Sequence, residues 1–511
     1  MGENSTGEVY PENRWIVLAV MSLSLVIVML NNVTLNVALP ELSIDLEADN
    51  SELQWIMDSY ALVFGGTLLV MGALGDRFGR KGALQIGLII VGTASAWTAF
   101  YAETSSDVIL ARATMGLGAA LVMPSTLSVV LVVFPPNERG KAIGIWAAMA
   151  GIGAPIGLLV GGWAVENYDW EMVFLINVPI ILFALVAGAY IVPKSRDKEK
   201  RPLDIVGAFL SVLALASLLY GIIEGPSLGW TDKETLTAFT ISTITGIAFV
   251  MWQNKVEHPL LPLTFFKNPK YTLGLIAIAL AMFVMFSFMF MQMLHFQLVR
   301  GHSALSAAIR FFPLPMGLMP AAANSDKLVE KFGRPNVITT GLILVASGLF
   351  LFTLVEVDTS YWQIAATFAL LGVGMGLTMA PSTTAIMDAI PESKAGVGSA
   401  TNDASREIGG ALGIAIGGSV LNEIYQKTII IPDSAIGQSS VIESSFPAAM
   451  KIGAKMLEAG NQEGAILIDS AKNSFIEGMV GACIVAGCVA LLAAFMVKWK
   501  MPLDEVSNEE E

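Results

Sequence analysis

Stretches of about twenty mostly apolar residues recur along this chain from one end to the other. Each is about as long as an α-helix must be to cross a ~30 Å hydrocarbon core. A buried core helix accounts for one such stretch, but not for a series of them. To within a few residues the spans are expected at 15–37, 52–74, 83–101, 107–133, 141–163, 172–192, 204–224, 235–253, 271–297, 303–323, 335–355, 361–385, 400–421 and 475–497. Charge agrees with this reading. Only 14% of the 511 residues are charged and 54% are hydrophobic, whereas a soluble chain carries roughly 25% charge. The expected fold class is an all-α polytopic membrane protein.

Alternating the loops sorts the cations. One set holds Arg77, Arg80, Lys81, Arg139, Lys141, Lys194, Lys198, Arg201, Lys255, Lys327, Arg334 and Lys394 among others, while the short loops of the other set hold only Lys233 and Arg300. Basic loops mark the cytoplasmic side, so both termini are expected inside a cell membrane. The net charge of −14 then belongs largely to outer loops and the C-terminal tail, and nothing points to a nucleic-acid partner. The phosphate loop G-x-x-x-x-G-K-[ST], the motif H-E-x-x-H and a Cys/His cluster are all missing from the sequence. Cys483 and Cys488, five apart on one span, suit neither a metal cage nor a disulfide. No enzyme activity, cofactor or metal is expected, and the chain is read as a monomer.

Two distant regions read alike. Gly116-Leu-Gly118 leads to Met123-Pro124-Ser125-Thr126 and on to Pro135-Pro136-Asn137-Glu138-Arg139-Gly140. Gly372-Val-Gly374 leads to Ala380-Pro381-Ser382-Thr383 and on to Pro391-Glu392-Ser393-Lys394-Ala395. Asp76-Arg77-Phe78-Gly79-Arg80 likewise pairs with Asp326-Lys327 followed by Phe332-Gly333-Arg334. Repeated halves are how many secondary transporters build a substrate site between two rocking bundles. The domains are therefore 1–192, an N-terminal six-helix bundle; 193–270, a cytoplasmic connector with two inserted helices; and 271–511, a C-terminal six-helix bundle. The last carries a long polar outer loop, 424–473, and an acidic cytoplasmic tail, and Ala448–Gly460 fits a short amphipathic helix inside that loop.

Six motifs in order resemble the major facilitator superfamily, in particular its fourteen-helix drug:proton antiporter group. They are Gly72-Ala-Leu-Gly75-Asp76-Arg77-Phe78-Gly79-Arg80-Lys81; Leu110-Ala-Arg112 with Gly116-Leu-Gly118; Gly151-Ile-Gly153-Ala-Pro155-Ile-Gly157-Leu-Leu-Val-Gly161-Gly162; Phe174-Leu-Ile-Asn177-Val-Pro179; Glu257-His-Pro259; and the run Ser399–Gly413, which holds Asn402, Asp403, Arg406 and Glu407. The resemblance implies a major facilitator fold of two six-helix bundles plus two additional helices. It also implies proton-coupled export of amphipathic or cationic small molecules, with the first motif as a conformational latch (Gly72, Asp76, Arg77, Gly79, Arg80, Lys81) and the third as an antiporter motif (Gly153, Pro155, Gly157, Gly161, Gly162). This copy departs from the third motif: Leu158 stands where a proline is usual, with Pro155 upstream.

Ions inside a span cost at least ~2.5–3.5 kcal/mol each on insertion scales, so the few kept there are the functional candidates. Asp58, a few turns into the second span, can exchange a proton for a cationic substrate. Arg112 is a fixed charge, to which the resemblance gives a relay role. Asp403 and Glu407 share a helix face, with Arg406 placed to pair with Asp403; ordinary capping and charge–dipole stabilisation of the first helical turns is the competing reading. Related exporters carry an aspartate where this chain has Asn31, so titration falls on Asp58 and the thirteenth span, and preference shifts from dications toward monovalent or neutral substrates. Asn31, Trp55, Tyr60, Met285, Met289, Gln292 and His295 are the expected substrate pocket, since methionine and aromatic side chains make adaptable apolar surfaces. The alternatives are a dedicated exporter of one endogenous metabolite or lipid, and a membrane sensor that binds without turnover.

Overall fold

The computed structural model describes residues 2–3, 9–46, 50–195, 203–357, 359–444 and 446–502. The acidic tail beyond residue 502 and connector residues 196–202 lie outside the described residues. Fourteen long helices among the described residues follow the expected order. They are α1 (Arg14–Val33), α2 (Asn50–Phe78), α3 (Arg80–Tyr101), α4 (Ser105–Val133), α5 (Pro136–Asn167), α6 (Asn177–Ile191), α7 (Ile205–Leu228) and α8 (Lys233–Gln253), then α9 (Pro269–Leu294), α10 (Pro313–Phe332), α11 (Arg334–Phe352), α12 (Tyr361–Asp388), α13 (Ala395–Thr428) and α14 (Glu463–Lys500). Short helices extend several of them: Leu35–Asp45 continues α1, Met172–Leu175 leads into α6 and Ala304–Arg310 precedes α10.

Local chemistry sets many of the boundaries. The Thr104 side chain and Asp107 cap α4 reciprocally. Asn268 accepts from Lys270 N ahead of Pro269, a residue suited to the first turn of α9. Gly79 (φ 118°) and Gly333 (φ 81°) each make a turn of a single residue, between α2 and α3 and between α10 and α11. Only glycine adopts such angles without strain, and these are matching positions of the two repeats.

Helices α1–α6 pack as one bundle and α9–α14 as the other, while α2 and α4 meet α13 and α5 meets α10 and α12 between them. The added pair α7/α8 packs through α7 on both α2 and α13, covering the seam where those two helices meet. Twelve helices among the described residues are long and apolar enough to cross a membrane by composition alone. Helices α5 and α10 pack on each other across the other seam. A methyl group at Gly144 of α5 would lie 2.5 Å from the Ala322 carbonyl oxygen of α10, and one at Gly151 would lie 2.9 Å from Leu318. Small residues let helix backbones meet this closely.

The region 424–473 contains the short amphipathic helix expected near Ala448–Gly460 but is otherwise more ordered than the polar loop the sequence suggests. Helix α13 runs on to Thr428, α14 starts at Glu463, and the residues between fold as a 3-10 turn and helices at Ser439–Ser444 and Phe446–Glu458. The Tyr425 hydroxyl donates to Ile442 O, and Phe446 stacks on Phe475 of α14 at 4.6 Å. What reads as a fifty-residue polar loop is thus a folded cap anchored by two aromatic residues.

A buried carboxylate ties the added pair together. Asp204, the N-cap of α7, accepts from Gly207 N (2.7 Å), Trp252 Nε1 (2.7 Å), Gln253 Nε2 (2.6 Å) and Leu260 N (3.4 Å). Gln253 Oε1 in turn accepts from Leu261 N. Asp204→Ala leaves several buried donors unpaired at ~1–3 kcal/mol each, so the thermal midpoint of the purified protein is expected to fall by about 5 °C or more. An unchanged midpoint would mean the cluster carries no strain-free stabilisation.

Candidate functional site

The turn between α2 and α3 brings a carboxylate to the start of a helix in the other bundle. Asp76 accepts from Arg80 Nε (3.0 Å) and Nη2 (2.8 Å) across the Gly79 turn. It also accepts from Gly396 N (2.9 and 2.8 Å to its two oxygens) and Val397 N (3.2 Å), free donors of the first turn of α13. A carboxylate there meets the positive end of the helix dipole. Arg80 donates as well to the Glu392 carbonyl, and Arg139 pairs with the Glu392 side chain. Gly72 lies one turn away, where a methyl group would strike Gly396 O and Ala400. In the second repeat the Asp326 carboxylate likewise lies close against Gly140 in the first turns of α5.

Of the six latch candidates, Gly72, Asp76, Gly79 and Arg80 gather at this junction. Lys81 instead donates to Ala189 O (2.6 Å) and Val192 O (2.8 Å), closing the end of α6 in its own bundle. Arg77 sits over the ring of Phe78.

From Asp76 one face of α2 runs back through Gly72, Leu69, Gly65 and Leu62 to Asp58, alternating steps of three and four. Opposite Gly65 are Leu219 of α7 and the Cβ of Glu407, 3.8 Å from where a Gly65 methyl group would be. Asp58 is half-buried two turns further along α2, about 10 Å away at 1.5 Å per residue. The α2/α13 seam therefore carries Asp58, Glu407 and Asp76 in sequence.

Arg112 is fully buried and acts as the hub of a web through the first bundle. Its Nε donates to Ile56 O (3.1 Å), its Nη1 to Asn31 O (2.7 Å), and its guanidinium lies 4.4 Å above the Tyr60 ring. The Tyr60 hydroxyl donates to Val28 O (3.2 Å). Asn31 Nδ2 donates to Ile27 O, and its Oδ1 accepts from Asn177 Nδ2 at 3.3 Å. Arg112 Nη2 has no hydrogen-bond partner among the described residues, and the Asp58 charge acts on this guanidinium. Asn31, Tyr60 and Arg112 thus come together, and Asn177, quoted in the sequence only as part of a motif, joins them.

The polar residues of α13 are not first-turn caps. The helix begins at Ala395 and its first turn is satisfied by Asp76, which places Asp403, Arg406 and Glu407 two to three turns inside. The expected Asp403–Arg406 pair is not made either. Arg406 donates to Thr383 Oγ1 (3.4 Å) and lies 5.2 Å above the Trp146 ring of α5, in the other bundle. Trp146 Nε1 donates to Thr126 Oγ1 (3.0 Å). Asp403 accepts from Asn402 Nδ2 and lies against the Ser399 side chain. Nothing in the local sequence marks Trp146 or Thr383 as partners, because the contact joins residues far apart in the chain.

The α9 candidates divide. Met285 and Met289 are half-buried against the core. Gln292 and His295 are enclosed within the second bundle: His295 Nδ1 lies 3.3 Å from Gln292 Oε1, Arg300 Nε donates to His295 Nε2 (3.2 Å), and Phe296 and Phe352 flank the ring. Trp55 faces Tyr220 of α7 at 6.1 Å. In the antiporter motif Gly153, Gly157 and Gly161 meet Met29, Leu30 and Thr34 of α1 and its extension, while Gly162 meets Leu305 of the second half. The Pro155 side chain lies outside the described residues.

The chain is similar to proteins of related architecture. It is 32% identical to the multidrug efflux pump LfrA of Mycolicibacterium smegmatis (95% of this chain, 96% of that one). It is 31% identical to the methyl viologen resistance protein SmvA of Salmonella typhimurium (94% and 97%). The solved structure of the proton:xylose symporter XylE superposes with a TM-score of 0.61 at 14% identity, covering 96% of both chains, a likeness of fold alone. The Major Facilitator Superfamily profile matches residues 21–414, and the chain belongs to that superfamily.

Proposed function

We propose that this protein is a proton-coupled secondary active exporter of amphipathic or cationic small molecules, working by alternating access between its two bundles. The names of its relatives, a multidrug efflux pump and a methyl viologen resistance protein, support the substrate class. What supports the mechanism is that the Asp58 charge acts on the buried Arg112 guanidinium, while Asp58 shares the α2 face that carries Gly72 and Gly65 along the seam with α13. Arg112 has already given two of its donors to backbone carbonyls and keeps one unpaired among the described residues, so it is a fixed cation with spare capacity for a carboxylate. Asp58 without its proton binds either that guanidinium or a cationic substrate; proton uptake from outside displaces the substrate. Glu407 sits deeper on the same seam, and Asp403 further along the same helix, as the remaining carboxyls of the cycle. The basic end is cytoplasmic, so the Asp76–α13 contact closes the path on that side.

Gradient energy suffices. A proton crossing ~150 mV yields about 3.5 kcal/mol, enough for roughly a 300-fold gradient of a neutral substrate at 1.4 kcal/mol per decade. Dye efflux in everted vesicles under an imposed pH gradient tests the reading. Asp58→Asn is expected to abolish the proton-dependent component, and retention of that component removes Asp58 from the coupling role. A monocationic and a dicationic dye compared in the same vesicles test the preference expected from Asn31.

A further inference from the structure

The added pair leaves a slot of about 520 Å³ against the first bundle, apart from the Arg112 web. Leu62 of α2, Ala216 and Tyr220 of α7, and Glu234, Thr237 and Ile241 of α8 line it. The volume is that of a small-molecule site, and the walls are of two kinds. Leu62, Ala216 and Ile241 are apolar. At one end the Tyr220 hydroxyl is approached by Glu234 and lies in the field of Glu224 and Asp232 as well. Lys233 and Glu234 are the charged residues of the wall, and Glu224 and Asp232, outside the wall, add a negative field at the Tyr220 hydroxyl. Glu224 is buried, which keeps part of that negative field away from the screening of water.

An aromatic face, an apolar wall and an excess of carboxylate suit a lipophilic organic cation: the ring and the carboxylates attract its charge, and the wall takes its body. A lipid acyl chain has use for the apolar wall alone. The slot also adjoins the coupling residue. Trp55, Asp58 and Leu62 fall on one face of α2 at spacings of three and four; Trp55 faces Tyr220, and Leu62 is in the slot wall. Asp58 lies between them on that face.

We propose that the slot between α2, α7 and α8 is a second binding site, taking a lipophilic monovalent organic cation at the flank of the transporter, one turn of α2 from Asp58. This deepens the export reading and rests on it for the substrate class. It gives the two added helices a task of their own, to hold substrate beside the bundles.

Equilibrium binding of radiolabelled tetraphenylphosphonium to the purified full-length protein tests it without requiring turnover. Two classes of site are expected. Glu234→Gln combined with Tyr220→Ala weakens one class about tenfold or more. Thr237→Trp, which fills the slot and removes no charge, abolishes the same class, while Asp58→Asn abolishes only the other. A single class of site, indifferent to both slot variants, overturns the proposal. So does a copurifying phospholipid that Thr237→Trp expels while cation binding stays unchanged, because the slot is then a lipid site. If Asp58→Asn retains proton-driven efflux but the slot class behaves as expected, the coupling assignment fails and the slot stands.

Discussion

Asp76→Asn is expected to lower efflux by about a hundredfold while the protein still reaches the membrane. The carboxylate holds Arg80, itself 2% exposed, together with two backbone donors at the start of α13. Asparagine offers one oxygen and no charge, leaving Arg80 buried beside a neutral amide. Breaking a buried pair from one side costs ~3–5 kcal/mol, and about 3 kcal/mol is already a hundredfold shift between two conformations. Asp76 and Arg80 belong to one bundle, but the donors at Gly396 and Val397 and the Glu392 carbonyl belong to the other, so the part of the cost carried across the junction falls on one conformation only. A cysteine at Val397, 1% exposed and packed beside Leu69, reports the shift. In a background lacking Cys483 and Cys488, Val397→Cys resists a membrane-impermeant thiol reagent applied from the Gly79 side, and adding Asp76→Asn makes it reactive. Equal protection in both proteins would show that the contact does not hold the bundles together.

Arg112→Lys is expected to be nearly as damaging, despite keeping the charge. The guanidinium spans two carbonyls on different helices, Ile56 O and Asn31 O, and covers the Tyr60 ring. A lysine ammonium is a single point on a flexible stem and does not reproduce a planar fork. One orphaned carbonyl costs ~1–3 kcal/mol and a lost desolvated cation–π contact up to about 2, which sums to roughly a hundredfold in rate. Efflux per molecule of protein in proteoliposomes checks this. A lysine variant keeping a third of the wild-type rate would mean that charge alone suffices at this position.

Much of this architecture is legible in the residues, because lipid imposes a single dominant rule on every span. The repeat of Asp76–Arg80 as Asp326–Arg334 marks two equivalent turns, and both carry a glycine at positive φ. What escapes the sequence are features decided by distant partners. The start of α13 is set five residues ahead of the expected span because Asp76, over 300 residues away, satisfies its first donors. That one contact also removes the capping explanation for Asp403 and Glu407. The Arg406–Trp146 contact joins two bundles and has no local spacing to announce it. His295 and Gln292 read as pocket residues, yet both are buried inside the second bundle, and Phe352, which flanks the imidazole, comes from α11.

Both ends of the α7/α8 hairpin are moored to the second half of the molecule. Asp204 and Gln253 grip Leu260 and Leu261 on the way into α9, and at the opposite end Trp230 Nε1 donates to Ser419 Oγ of α13. Where α7 rests on α2, it meets glycines: Ala216 lies over Gly66 and Leu219 over Gly65. If the halves rock as proposed, the hairpin is expected to travel with the second half, because its hydrogen-bonded moorings lie there and its contact with α2 includes two positions that have no side chain to catch.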